Sequence, residues 1–195
     1  LFTGDLLGAP PPDKDYKVFD FCLGEKFYSY NELSTRDVFK LRSIPKIEDK
    51  TCAIHFRGTD FHAWNPESIL NDQYYYDSID LVRDEAHNFA LFTDDPGLES
   101  YQKIKNYLSN ENIKFSTGEN TSDRKKYMND FSFMTECDSI ISSPSTFCIV
   151  AGFVGRQKKI IHSKKWVESR ASHQDKFWRD LLAGGNKNYK LWKII

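Results

Sequence analysis

The sequence predicts an α/β fold built on a parallel, doubly wound sheet. Three observations carry that expectation. Short apolar runs of strand length recur from residue 51 onward, helix-like segments separate each run from the next, and polar turns follow several of the runs. Upstream the chain reads differently. Residues 1–50 are irregular, and Pro10, Pro11 and Pro12 in succession favour extended or linker-like chain over packed helix. The expected organisation is therefore an irregular lead-in, or the remnant of an N-terminal domain, over residues 1–50 and one α/β domain over residues 51–195.

The elements follow in order. Thr51 to Phe56 reads as a strand, and Tyr75 to Ala86 as a helix with Ile79, Leu81 and Val82 on one side. Phe89 to Thr93 is the second strand. Tyr101, Ile104, Tyr107 and Leu108 fall at helical spacing, which predicts a helix from about Leu98 to Leu108. A short strand is expected at Ile113 to Phe115, a helix from about Arg124 to Glu136, a buried strand at Ser139 to Ser142, a largely apolar helix at Thr146 to Val154, and a fifth strand at Lys159 to Ile161.

Composition narrows the function. With 27 Lys plus Arg against 28 Asp plus Glu, the 195-residue chain has no sequence-wide field to steer nucleic acid or an anionic membrane, so any phosphate must meet a local site. The four cysteines, Cys22, Cys52, Cys137 and Cys148, form no C-x-x-C pair, and three lie in apolar runs; reduced, structural thiols are expected. No stretch approaches the ~18 to 20 apolar residues of a membrane span, and the N-terminus lacks a signal-peptide layout. A cytoplasmic protein, or a soluble domain of a larger one, is the expectation; a first residue Leu1 instead of Met leaves room for a further domain upstream. Asn120-Thr121-Ser122 matches a glycosylation sequon, a pattern short enough to recur by chance.

In open α/β sheets ligands bind beyond the carboxyl ends of the strands, so the residues after each strand are where chemistry is sought. His55-Phe56-Arg57-Gly58-Thr59-Asp60 closes the first strand. An Arg there can grip a diphosphate through two parallel charge-assisted hydrogen bonds while a carboxylate holds its guanidinium; an ordinary Arg–Asp surface pair, or a metal on His55, Asp60 and His62, fits the same residue types. Phe92-Thr93-Asp94-Asp95-Pro96 ends the second strand. It reads as a helix cap, or as a carboxylate pair for a divalent cation beneath a diphosphate. Between Asp130 and Phe147, a strand delivers Ser142, Ser143, Ser145 and Thr146 to the start of a helix, whose free N–H groups and positive dipole end suit either an anion or simple capping by a hydroxyl.

Taken together, the order H-x-R-x-x-D, then T-D-D-P, then D followed at a distance by S-S/T before a buried helix resembles the superfamily of α1,2-, α1,6- and protein O-fucosyltransferases. Ile160-Ile161-His162-Ser163-Lys164-Lys165-Trp166 is similar to an element of the α1,2 group, and the resemblance covers roughly residues 51 to 180. It implies a Rossmann-like, donor-binding C-terminal domain of the GT-B type, a GDP-sugar (first of all GDP-fucose) as co-substrate, a glycan or glycoconjugate acceptor, and inversion at the anomeric carbon. It further implies that Arg57 contacts the β-phosphate, that His55 and Asp130 face the guanosine, that Ser145, Thr146 and Phe147 line the phosphates, and that Asp94 and Asp95 support Arg57 or the sugar. Asp130 suits that place chemically, because guanine offers two donors that one carboxylate can accept together. Arg57 and Asp60 are the candidate catalytic residues, with His62 a second candidate for the base. No metal or other cofactor is expected where Arg57 and the helix start neutralise the diphosphate. Two features depart from the family pattern: Gly58 stands where many relatives carry a second Arg, and the glycine-rich N-terminal motif has no counterpart before His55.

Overall fold

Every side chain from Thr51 to Phe56 is buried, as expected of a strand covered on both faces at the centre of a parallel sheet. A computed structural model describes residues 46–47, 50–64, 66, 69–118, 124–172, 179, 182–183 and 191–195. Strand β1 (Thr51–Phe56) leads through a short helical turn, α1 (Phe61–Trp64), to α2 (Asp72–Val82). Then come β2 (Asn88–Thr93), α3 (Glu99–Asn110), β3 (Phe115–Thr117), α4 (Arg124–Glu136), β4 (Ser139–Ile141), α5 (Thr146–Val154), β5 (Lys159–His162), α6 (Lys164–Ser172) and β6 (Leu191–Ile194). The strands form one sheet in the order β3-β2-β1-β4-β5-β6, every pair parallel. This is a doubly wound, Rossmann-like α/β fold, with its topological switch point between β1 and β4.

Alternation along the strands divides the core. Cys52, Ile54 and Phe56 of β1 and Phe89 and Leu91 of β2 pack with α2 and α3 through Tyr75, Ile79, Tyr101, Ile104 and Leu108. Ala53, Ala90, Phe92, Ile140 and Ile160 face the other way, against Met134 of α4, Cys148, Ile149 and Ala151 of α5, and Trp166 and Val167 of α6. His55 shares the parity of Ala53, so β1 delivers its imidazole to the α4/α5 side. Tyr74 ties the layers together: its hydroxyl donates to the Ser142 carbonyl at 2.7 Å and lies 3.2 Å from that of Ile161.

Several expected boundaries shift, and the sheet has six strands where five were expected. The sixth, β6, pairs with β5 across an irregularity at Ile160/Ile161. The third strand is Phe115–Thr117 instead of Ile113 to Phe115, because its register is set by pairing with Phe89, Ala90 and Leu91 and not by its own hydrophobicity. Helix α2 starts at Asp72, where the Asn71 side chain accepts from the Tyr74 N–H at 3.1 Å, and it ends at Val82. Helix α6 and the α1 turn were not anticipated. Cys52, Cys137 and Cys148 are free and buried, and burial pushes the thiols of Cys52 and Cys148 up to about 12, so they pack as hydrophobes. No helix among the described residues is long and apolar enough to cross a membrane. Apart from residues 46–47 and 50, the expected lead-in lies outside the described residues, as do Cys22 and the sequon at Asn120.

Candidate functional site

Beyond the carboxyl ends of β1, β2 and β3, on the α4/α5 side, lies a cleft with two lobes. The larger, about 440 Å³, is lined by His55, Arg57 and Thr59 from β1 and its loop, by Phe92, Thr93 and Asp94 from β2, and by Tyr127, Asp130 and Phe147 from α4 and α5. The smaller, about 360 Å³, runs beneath α4 between Phe92, Ser116, Thr117, Gly118, Asn129, Asp130 and Phe133. Phe92 and Asp130 belong to both lobes, so the buried Asp130 stands at their junction. Gly118 makes that junction possible. A Cβ there would come within 2.4 Å of Phe92 Cδ1 and 2.7 Å of Asp130 Oδ1.

Register explains the polar wall. The last paired residues of β1 and β2 are Phe56 opposite Thr93, so the next step sets Arg57 beside Asp94. Arg57 Nη1 donates to Asp94 Oδ2, and Nη2 donates to Asp60 Oδ1 at 2.6 Å. Asp94 is the hub of the loop: it also accepts from the Gly58 N–H at 2.8 Å and from the Thr59 hydroxyl at 2.7 Å. Thr59 holds φ at +25°, a costly conformation for a β-branched residue. The Phe61 ring lies 5.2 Å from the guanidinium carbon, which adds a cation–π contact to the two ion pairs.

His55 is buried, with Nδ1 2.7 Å from Ser143 Oγ and its ring 5.5 Å from that of Phe147. Burial pushes its pKa down to about 4, with the Arg57 charge helping and that of Asp94 opposing, so it is a neutral imidazole at physiological pH. On the far side of β4, His162 Nδ1 meets Ser142 Oγ, and burial lowers that histidine to about 3. The β4–α5 loop is thus held by a neutral histidine on each side.

The structure brings His55, Arg57, Asp94, Asp130 and Phe147 together around one lobe. Asp60 joins them at the rim through Arg57, its side chain 60% exposed. Asp95 takes a different place. Its N–H and carbonyl bond the Thr93 hydroxyl, its carboxylate accepts from the Gly97 N–H at 3.0 Å, and His62 Nε2 lies 3.3 Å from its Oδ2. Ser145 caps α5, its hydroxyl accepting from the Phe147 N–H at 3.2 Å, and neither Ser145 nor Thr146 is among the residues lining the two lobes. The Ser142 and Ser143 hydroxyls, for which the sequence left an anion site and simple capping open, face the two histidines. Among the described residues, no three His, Cys, Asp or Glu side chains converge as a metal would need; the Arg57 guanidinium is the cation that Asp60 and Asp94 share.

Tyr127, Thr59 and Gly118 are site residues that sequence reasoning missed. Tyr127 lies one helical turn before Asp130, so the i, i+3 relation on α4 was the available signal. Its ring packs edge-on against Phe147, with centroids 6.3 Å apart, and Phe131 does the same at 5.3 Å. The result is an aromatic wall facing the charged one.

Comparison of the chain with protein-family models, curated proteins and solved structures yields no match.

Proposed function

We propose that this domain binds a nucleotide sugar, first of all GDP-fucose, and serves as the donor-binding half of a GT-B-type glycosyltransferase that moves a deoxyhexose to a carbohydrate hydroxyl with inversion. The observation that carries this reading is the convergence on one lobe of His55, Arg57, Asp94, Asp130 and Phe147, which come from three separate motifs of the resembling family. The aromatic wall suits a nucleoside, Asp130 offers a carboxylate for paired donors, and Arg57 supplies positive charge for a departing diphosphate. As the glycosidic bond to GDP breaks, negative charge grows on the β-phosphate, so a guanidinium pre-aimed by Asp94 favours the transition state over the bound donor. Asp60, exposed beside Arg57, is the candidate carboxylate to take the acceptor's proton.

A second reading, a nucleotide-sugar-binding module without turnover, is favoured by one observation. A Cβ at Gly58 would lie 2.6 Å from the Asp95 Cβ, so this loop conformation leaves no room for the second Arg that relatives carry there. One assay separates the readings: purified protein is incubated with GDP-fucose, with and without a panel of glycan acceptors, and GDP release is followed. Acceptor-stimulated release supports the transferase. Donor binding without release supports the module, and no binding of GDP-fucose or GDP removes both.

A further inference from the structure

Arg57 is held from two sides, by carboxylates of unequal standing. The Asp94 side chain is 19% exposed and accepts from three donors: Arg57, the Gly58 N–H and the Thr59 hydroxyl. Asp60 is 60% exposed, sits three residues along the chain from Arg57, and its other contact is the Thr59 hydroxyl at 3.2 Å. An exposed pair of that kind contributes about 1 kcal/mol or less, whereas a part-buried carboxylate bearing several charge-assisted bonds is much harder to remove. Thr59, in its strained conformation, depends on the same Asp94 anchor. Electrostatics point the same way. Asp60 and Asp94 both contact a single guanidinium, so a phosphate approaching Arg57 meets two negative charges against one positive unless one carboxylate yields.

Resting on the reading that Arg57 receives the donor's diphosphate, we propose that Asp94 is a positioning residue that keeps Arg57 aimed into the cleft, and that Asp60 is a displaceable counter-ion whose place on Nη2 the diphosphate takes. The exchange sets a threshold for entry. A carboxylate or other weakly charged anion offers Nη2 nothing that Asp60 does not already supply, whereas a diphosphate offers more charge and more acceptor oxygens. Asp60 therefore acts as a filter for diphosphates and lowers the affinity for all anions.

Calorimetry with inorganic pyrophosphate and with GDP, on the native chain, Asp60→Asn, Asp94→Asn and the double variant, tests this, with thermal melting to confirm folding. Asparagine at 60 keeps the side chain's size and one acceptor oxygen while it removes the charge. Asp60→Asn should bind pyrophosphate about fivefold more tightly, as expected for losing a surface ion-pair competitor worth about 1 kcal/mol, and the gain should shrink as salt is raised. In the Asp94→Asn background the Asp60 substitution should give no such gain, because Arg57 is no longer aimed; a merely structural Asp94 would leave the gain intact. If Asp94→Asn does not fold, the Asp60→Asn comparison alone decides. Unchanged or weaker pyrophosphate binding by folded Asp60→Asn overturns the exchange and leaves the nucleotide reading standing. Failure of both the native chain and Asp60→Asn to bind either GDP or pyrophosphate overturns both.

Discussion

Acidification to about pH 5 should cost this domain a large part of its stability, and two buried histidines set the amount. In the unfolded chain each titrates near the ordinary value of about 6.5, whereas burial holds His55 at about 4 and His162 at about 3 in the fold. Between those limits the unfolded state binds more protons. Stability is therefore complete above about pH 6.5 and falls as pH drops toward the folded values. At pH 5, about one and a half pH units below the unfolded value, each histidine costs about 2 kcal/mol, or about 4 kcal/mol for the pair. That is a major share of the 5–15 kcal/mol typical of a domain. Urea unfolding at about pH 7.5 and pH 5, extrapolated to water, reads the difference directly. His162→Asn, which keeps a polar partner for Ser142, should remove about half of the pH dependence whatever it does to the absolute stability. A flat profile between pH 7.5 and 5, or a full-sized slope in His162→Asn, would refute the burial argument.

Two substitutions test the cleft. Gly118→Ala forces a methyl group against Phe92 and Asp130, so it should cost about 1–3 kcal/mol by overpacking and weaken nucleotide binding, read by melting and calorimetry on the same sample. Arg57→Lys keeps the charge but cannot serve Asp94, Asp60 and a diphosphate with one planar fork; GDP affinity should fall roughly tenfold or more in a protein that circular dichroism shows to be folded, and unaltered affinity would remove Arg57 from the site.

The central strands were legible because β1, β2, β4 and β5 are buried on both faces and declare themselves as apolar runs. Edge strands carry no such mark. In β3, Ser116 and Thr117 are exposed, so only pairing with β2 locates it. The apolar residues of β6 follow the largely polar run Gly184 to Lys190, and nothing local tells a sixth strand from a tail. Of the residues lining the larger lobe, the strand-end rule pointed to His55, Arg57 and Asp94, and the motif resemblance to Asp130 and Phe147. The division of labour within Asp94-Asp95 stayed hidden. Parity sends Asp94, with Phe92, to the α4/α5 side, but only the β1–β2 register reveals that it meets Arg57. The pairing of His162 with Ser142, twenty residues apart, likewise depends on the adjacency of β4 and β5.

We propose that the cleft selects a guanine nucleotide, with Asp130 at the junction of its lobes accepting from the paired donors of the base. Parallel titrations of GDP and UDP, followed by calorimetry and by the shift in melting temperature, test it most directly. GDP at 100 times its dissociation constant should stabilise the fold by about 2.7 kcal/mol, and UDP at the same concentration should give a clearly smaller shift that no longer differs from that of GDP in Asp130→Asn. Equal shifts with the two nucleotides in the native chain would contradict the guanine assignment, and no shift with either would contradict the nucleotide site itself.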